Sequence, residues 1–222
     1  MNKKLIKVMA VSSALSIILL YFRIEWTGSL IFVFLPWNLF LAWIPFLLAM
    51  LLSEMNQKNA SRMKKVFVFS AWLLFFPNSP YILTDLFHLR VRPEVPLWYD
   101  LVLILSFAWN GLLLGFSSLF EIQKVLRTRL SVGVVNFFIG GLMVLCSFGI
   151  YLGRYPRYNS WDILTNPITL LSDICSMIVH PMDNPRMMGV TFFFSLFLIA
   201  SFWTLNILIN HKQHETQGSQ IQ

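Results

Sequence analysis

Long apolar stretches alternate with short polar connections along the whole chain. A helix needs about 20 predominantly apolar residues to cross a bilayer. Six stretches are long enough, and they are residues 5–22, 29–52, 66–76 with a possible extension to 89, 97–120, 132–152 and 187–209. This pattern predicts an all-α, polytopic transmembrane helical bundle of about six spans, with short interfacial helices on its outer face.

The composition agrees with a membrane protein. The 222 residues are 57% hydrophobic and only 12% charged, about half the charged fraction of a typical soluble domain. No polar segment is long enough for a separate soluble domain, so residues 1–210 are expected to form one transmembrane domain. Residues 211–222 are expected to form a polar, disordered cytoplasmic tail. The basic start of the first span, without a cleavage motif after it, is typical of a retained signal anchor.

Positive residues predict the orientation. With the N-terminus inside, eleven of the seventeen lysines and arginines fall on the inner side, which favours an N-in, C-in arrangement. All lysines fall inside, whereas six of the nine arginines and every aspartate fall outside. Arginine suits fixed pairing with carboxylate or phosphate, so the outer face is expected to be the specialised one. The net charge of +7 is attributed to topology, and no nucleic-acid partner is expected because no binding motif accompanies it.

The segment 75–90, FFPNSPYILTDLFHLR, interrupts the third apolar stretch with polar residues. Ser79 is expected to cap a new helix and Pro80 to occupy its first position. Four side chains then follow at α-helical spacing on one stripe, namely Tyr81, Asp85, His88 and Arg92. The pattern predicts a short boundary helix with one polar edge.

Two further patterns concern packing and the last loop. Gly133, Gly140, Ser147 and Arg154 recur every seven residues, which predicts a small-residue seam on the fifth span. In the loop, Asn159 with Asp162 is typical of a helix start. A second helix is expected after an Asn166 cap, from Pro167 to a stop at 180–181. It is too short to span, so we expect it to lie on the outer leaflet.

These residues suggest a polar pocket at the outer boundary. Its expected catalytic groups are Asp85, His88 and Asp100. Its expected substrate-binding groups are Arg154, Arg157, Asn159, Asp162 and, as the floor, Asn38, Asn78 and Asn110. Charged groups at a membrane edge are often functional. The alternative is that Asp85 and Asp100 pair with Arg154 and Arg157 only to hold the outer segments together.

No cofactor or resident metal is expected. Asp85 and His88 could share an ion, but the sequence has no HExxH motif and no constellation of three histidines. It also has no Walker A or dinucleotide-binding fingerprint.

Four motifs resemble one family of bacterial membrane proteins, domain of unknown function 1361. They are FLPWNLFLAWIPF at 34–46, FFPNSPYILTDLFHL at 75–89, WYDL at 98–101 and GRYPRYNSWDI at 153–163. The resemblance extends over about residues 26–209. It implies a small multi-pass protein of the bacterial cytoplasmic membrane, and it implies no activity, substrate or catalytic residue.

Three classes of function remain open. The first is an enzyme or binding protein for a lipid or lipid-linked anionic substrate at the outer leaflet, and the one-sided polarity favours it. The second is a small transporter or channel subunit, which would need polar access from both sides. The third is an assembly factor or scaffold without chemistry. The bilayer is the one expected partner in all three.

Overall fold

A computed structural model describes residues 3–218, with the side chains of residue 210 and residues 212–218 left undescribed. Within this range the chain is helical, and its one β-bridge joins Arg92 and Val95. The α-helices are α1 Lys3–Thr27, α2 Phe34–Gln57, α3 Arg62–Phe75, α4 Asn78–Tyr81, α5 Leu97–Arg127, α6 Val132–Arg154, α7 Asp162–Thr165, α8 Pro167–Val179 and α9 Pro185–Gly218. Two 3₁₀ helices cover Ile82–His88 and Pro181–Asp183.

Among the described residues, six segments are long and apolar enough to cross a membrane, which confirms the predicted helical bundle of about six spans. They are α1, α2, the combined length Arg62–His88, α5, α6 and the first 25 residues of α9. Helix α9 runs to Gly218, so the described part of the predicted tail, 211–218, has helical backbone. The prediction of disorder for residues 219–222 lies outside the described residues.

Helix α5 is the centre of the bundle. It packs against α1, α2, α4, α6 and the 3₁₀ helix Ile82–His88, while α3 packs on α2 and α9 packs on α6. In its most apolar window, 61% of the residues are buried, against 22% for α1. Large side chains fill the interior, such as Trp72, Phe46 and Phe107, which are all fully buried. The outer surfaces of the helices are lined with exposed apolar side chains, as expected for helices that face lipid.

The third span breaks at Pro77 and continues as α4 and a 3₁₀ helix. The predicted cap is wrong, because Pro77 occupies the N-cap position of α4. Ser79 is buried, and its hydroxyl donates instead to the carbonyl oxygen of Ala42 in α2 over 3.0 Å. The predicted α-helical stripe also needs correction. Three residues per turn bring Ile82, Asp85 and His88 into one row, and the 3₁₀ helix ends at His88, before Arg92.

Glycines of α5 and α6 pack against this broken span. A Cβ atom on Gly111 would overlap the backbone carbonyl oxygen of Ser79. A Cβ atom on Gly149 would lie 2.9 Å from Cγ of Pro77. The predicted seam on α6 is wrong at its glycines, because nothing lies within 4 Å of a Cβ built on Gly133 or Gly140. The break in the third span therefore fits into the helices beside it.

Successive spans run in opposite directions, so the bundle has two distinct ends. We call the end with Asp85, Asp100 and Arg154 the aspartate end, and the end where α2 and α5 finish the lysine end. The side of the membrane on which each end lies stays a prediction.

Helix α8 lies at the aspartate end and has the bounds that the sequence predicts, Pro167–Val179. Asn166 makes no side-chain cap, so that part of the prediction is wrong. No residue of α8 is buried. The hydroxyl of Tyr158 donates to Oδ2 of Asp173 over 2.6 Å and so ties the helix to the preceding loop. This hydrogen bond raises the pKa of Tyr158, and desolvation and the nearby carboxylate charges act in the same direction.

Candidate functional site

Asp100 is held by two arginines at the aspartate end. Nε of Arg23 lies 3.2 Å from Oδ1 of Asp100, and Nη1 of Arg92 lies 2.9 Å from Oδ2. Arg23 and Asp100 are both only 1% exposed. Both guanidinium groups also stand over the ring of Phe32, at 4.8 and 4.9 Å from its centroid. The carboxylate is thus paired on both oxygens, as a buried charge requires.

Arg23 reaches this position from the last turns of α1. Its Nη1 also donates to Oγ1 of Thr27 and to the carbonyl oxygen of Ser29, each over 3.3 Å. Arg23 is one of the six arginines predicted to lie on the outer side, but its residue type and position did not predict a place in the site. The signal that could have identified it is an arginine directly after an apolar run, where a charge needs a partner from another helix.

Asp85 forms a second group. Its Oδ2 accepts a hydrogen bond from Nδ2 of Asn38 in α2 over 2.8 Å. Its Oδ1 lies 3.9 Å from Nη1 of Arg154 at the end of α6, which is an ion pair but too long for a hydrogen bond. Asp85 is 1% exposed and Arg154 is 18% exposed. The buried carboxylate is therefore satisfied mainly by the amide of Asn38.

His88 connects the two groups. Its carbonyl oxygen accepts from Nη2 of Arg92 over 3.2 Å, and its Nδ1 lies 3.5 Å from Nη2 of Arg154. A guanidinium group only donates, so the contact with Arg154 is a hydrogen bond in the tautomer that leaves Nδ1 unprotonated. The ring of Phe34 lies 4.8 Å from the imidazole ring, and Arg154 stands over Phe87 at 5.3 Å. Together we call Arg23, Arg92, Asp100, Asp85, Asn38, His88 and Arg154 the arginine–aspartate network.

This network has unequal charge. It contains three guanidinium groups and two carboxylates, and its histidine and asparagine are neutral. One positive charge is therefore left without a carboxylate in the network. The two arginines that retain some exposure are Arg92 at 16% and Arg154 at 18%, so the excess charge can be reached from outside.

Five of the predicted site residues enter this network, namely Asp85, His88, Asp100, Arg154 and Asn38. The other five do not. Nδ2 of Asn78 donates to Oγ of Ser160 over 2.9 Å and fastens the last loop to the broken span. Oδ2 of Asp162 accepts from the backbone N–H of Asn159 over 2.6 Å, a helix-start contact. Arg157 is exposed and has a positive φ of 65°.

Asn110 lies deeper in the bundle, on the α1–α5 contact. Its Nδ2 donates to Oγ of Ser16 over 3.0 Å and to the carbonyl oxygen of Ser12 over 3.3 Å. Beside it, Nε1 of Trp43 donates to Oγ of Ser13 over 3.2 Å. Interhelical hydrogen bonds of this kind hold membrane helices together, so Asn110 joins α1 to the bundle and is not part of the network.

The described residues contain no group of three His, Cys, Asp or Glu side chains arranged to hold a metal ion. In the network, Asp85 and Asp100 already accept from Asn38 and the two arginines, and His88 Nδ1 accepts from Arg154. No cofactor is assigned to these residues.

No curated protein matches the chain, and no solved structure matches it. A family model described as "Protein of unknown function (DUF1361)" matches residues 37–201, from the first turn of α2 into α9. The matched range includes Asp85, Asp100 and Arg154. With most of its length matched, the chain belongs to the DUF1361 family of proteins of unknown function.

Proposed function

We propose that this protein binds the anionic headgroup of a lipid or of a lipid-linked molecule through the arginine–aspartate network. The observation that carries the proposal is the unequal charge of the network, with its excess on two accessible arginines, Arg92 and Arg154. An anion bound between Arg92 and Arg154 would neutralise the one positive charge that the two aspartates do not. Planar guanidinium groups recognise phosphate and carboxylate by paired hydrogen bonds.

Arg154 is the principal ligand in this proposal. Arg154 has five N–H donors, and within the described part of the chain only its Nη2 contact with His88 Nδ1 falls within hydrogen-bonding distance, at 3.5 Å. The carboxylate of Asp85 compensates part of its charge from 3.9 Å without using a donor. In the tautomer with Nδ1 unprotonated, His88 adds its Nε2–H as a donor. Arg23 and Arg92 differ from Arg154, since each donates to three partners. Arg23 is also buried, whereas Arg92 is 16% exposed.

Binding is proposed over catalysis because the two carboxylates are already engaged. Asp100 accepts from two arginines and Asp85 from Asn38, so neither is placed as a general base next to an open position. In this proposal Asp85 and Asp100 position the arginines, and His88 is a ligand. The asparagines Asn78 and Asn110 serve the packing of the fold.

Exposed tryptophans support a headgroup at this depth. Tryptophan is enriched where a bilayer meets water. Four lie at the aspartate end, and they are Trp26, Trp37, Trp98 and Trp161, with exposed fractions from 39% to 63%. The network begins in the same turns of α2 and α5 as Trp37 and Trp98, so the bound group would lie at the level of the lipid headgroups.

The proposal places the aspartate end on the outer side of the cytoplasmic membrane, in agreement with the lysine distribution. Two variants with one accessible cysteine each test this placement in a Cys175→Ser background, where the remaining Cys146 is buried. We expect Glu94→Cys to react with a membrane-impermeant maleimide in intact cells. Lys58→Cys should react only after permeabilisation. The opposite pattern would reverse the orientation and move the binding site to the inner leaflet.

A matched pair of variants tests the binding itself. We expect Arg92→Gln combined with Arg154→Gln to weaken retention of phosphatidylglycerol by about tenfold or more, since loss of one charged hydrogen bond costs about 1.5–3 kcal/mol. Arg90→Gln combined with Arg157→Gln removes the same charge from two exposed arginines at the same end. Native mass spectrometry would compare both with the parent protein, using phosphatidylcholine of equal chain length as the uncharged-headgroup reference.

Equal loss in both double variants would indicate general surface attraction and would contradict a specific site. Arg154→Lys provides a further distinction, because it keeps the charge and removes the planar fork. The proposal expects this variant to bind less phosphatidylglycerol than the parent while it elutes as the same monodisperse species. Unchanged binding in all variants would leave the network with a structural role only.

A further inference from the structure

The guanidinium group of Arg154 stands over an exposed aromatic ring, that of Phe87. The Cζ atom of Arg154 lies 5.3 Å from the ring centroid, which is within the range of a cation–π contact. Phe87 is 55% exposed, so its ring forms part of the outer wall of the network. The other ring that supports arginines, Phe32, is fully buried under Arg23 and Arg92. Only Arg154 therefore combines an aromatic support with an open surrounding.

The 3₁₀ helix that contains Phe87 explains why this ring meets the end of α6. Three residues per turn place Phe87 in the row that Tyr81 begins, two turns further along the chain. Tyr81 lies against α6, because a Cβ atom built on Gly153 would be 3.1 Å from Cε2 of its ring. Arg154 is the next and last residue of α6. The same row of side chains thus brings Phe87 to Arg154.

An aromatic ring holds a guanidinium group without using its N–H donors. Within the described part of the chain, the one hydrogen bond of Arg154 is the 3.5 Å contact with His88, and Asp85 lies 3.9 Å away. Arg92, in contrast, donates to three partners. The ring also leaves the positive charge in place, whereas a carboxylate at the same position would neutralise it. Arg154 is therefore supported while most of its donors stay available.

We propose that Phe87 is a positioning residue for anion binding, because it holds the guanidinium group of Arg154 ready for the headgroup without saturating its donors. This inference rests on the proposed function of the network. A side chain that is already ordered loses less entropy when a ligand binds, so a fixed Arg154 binds the anion more tightly than a mobile one. The C-terminal end of α6 supports the same placement through its partial negative charge.

Phe87→Leu tests this role, since it keeps an apolar side chain and removes the ring. We expect the variant to unfold at the temperature of the parent protein, because the ring is exposed. Its retention of phosphatidylglycerol, relative to phosphatidylcholine of equal chain length, should fall about threefold to tenfold in native mass spectrometry. Phe87→Tyr keeps the aromatic face and should retain the lipid as the parent does. Unchanged retention in Phe87→Leu would overturn the inference.

Phe40→Leu is the matched control for Phe87→Leu. Phe40 is also 55% exposed, and its ring contact is with Trp37. Among the described residues, no arginine stands over the ring of Phe40. We expect Phe40→Leu to leave the retention of phosphatidylglycerol unchanged. Equal losses in the two variants would indicate a general effect of exposed aromatic surface and would contradict a positioning role for Phe87.

Fluorinated phenylalanines at position 87 separate the electrostatic effect of the ring from its apolar effect. Fluorine withdraws negative charge from the face of the ring, which weakens a cation–π contact, while it preserves the ring shape and its apolar character. We expect one, two and three fluorine substituents to lower the retention of phosphatidylglycerol step by step. Retention equal to that of the parent across the whole series would contradict the inference.

The mobility of Arg154 provides a readout that does not require a bound anion. Solid-state NMR in phosphatidylcholine bilayers can measure the order of its Nε–H bond, with Arg154→Lys to assign the signal. We expect Phe87→Leu to lower this order and Phe87→Tyr to preserve it, and unchanged order in Phe87→Leu would overturn the inference.

The double variant Arg92→Gln, Arg154→Gln separates this inference from the proposed function. Loss of phosphatidylglycerol in the double variant, with full retention in Phe87→Leu, would defeat the role of Phe87 and leave the anion site standing. Full retention in both variants would defeat the proposed function as well. The inference predicts a large loss in the double variant and a smaller loss in Phe87→Leu.

Discussion

Replacing Asp100 by asparagine is expected to destabilise the protein by about 3–5 kcal/mol, the usual cost of removing one partner of a buried ion pair. The substitution would leave Arg23, which is 1% exposed, without a carboxylate. It would also leave two guanidinium groups close to the ring of Phe32 without the carboxylate that pairs with both. Thermal unfolding in a mild detergent, together with the amount of protein that accumulates in the membrane, measures the effect.

Replacing the arginine of the buried pair should have a smaller effect than replacing its aspartate. Arg23→Gln leaves Asp100 paired with Arg92, so the negative charge of that carboxylate is still balanced by one arginine. We expect it to lower stability less than Asp100→Asn, and we expect the two changes combined to be less harmful than Asp100→Asn alone. Glu94→Gln, at an exposed position of the same end, is the control. Equal effects of Asp100→Asn and Glu94→Gln would contradict the paired geometry.

Gly111→Ala is expected to destabilise the protein by about 1–3 kcal/mol, the typical cost of overpacking a closely packed interior. The added Cβ atom would overlap the backbone carbonyl oxygen of Ser79. A backbone atom inside a helical segment cannot move away as a flexible side chain can, so α5 and the broken third span would have to separate. The unfolding temperature of the purified protein gives the result.

Gly140→Ala is the matched control for Gly111→Ala. Nothing lies within 4 Å of a Cβ built on Gly140, and alanine is the better helix former by about 1 kcal/mol. Its unfolding temperature should stay unchanged or rise slightly. A loss of stability at Gly140 as large as that at Gly111 would contradict the packing described for α5.

Local features of the sequence were enough to predict the six spans and the bounds of α8. Each span is a long run of apolar residues, and its length is dictated by the bilayer. The limits of α8 depend on local chemistry, with Pro167 at its start and a stop at His180–Pro181. Such features lie within a few neighbouring residues, and this is why the sequence alone could indicate them.

Partners distant in sequence could not be predicted in the same way. Arg23 and Asp100 are separated by 77 positions, and only the packing of α1 on α5 brings them together. Ser79 has the residue type and the neighbours of a helix cap. Because α4 packs on α2, its hydroxyl instead donates to the carbonyl oxygen of Ala42. Local capping preference was overridden by a tertiary hydrogen bond.

The predicted small-residue seam on α6 also depended on a contact that is distant in sequence. Small residues at regular spacing allow a close helix contact, but they do not create a partner on that face. The close approaches are made by Gly149 and Gly153, against Pro77 and Tyr81. Both contacts depend on the break in the third span, because the break places the rings of Pro77 and Tyr81 beside α6.

Only part of the candidate site could be predicted, again because local contacts are readable from the sequence and distant ones are not. Asp85 and His88 are close in sequence, so their shared face followed from either helical period. Their connection to Arg92 and Asp100 runs through a carbonyl oxygen of the backbone, at His88, and residue types carry no information about such a contact. The excess positive charge of the network became visible only when Arg23 was placed within it.

The most direct test of the proposed function is a measurement of contact between lipid phosphorus and arginine nitrogen. Solid-state NMR can detect dephasing of guanidinium ¹⁵N signals by ³¹P in bilayers that contain phosphatidylglycerol. We predict that dephasing persists in the Arg90→Gln, Arg157→Gln variant and falls sharply in the Arg92→Gln, Arg154→Gln variant. Dephasing that survives loss of Arg92 and Arg154, or that vanishes with Arg90 and Arg157, would contradict anion binding by the arginine–aspartate network.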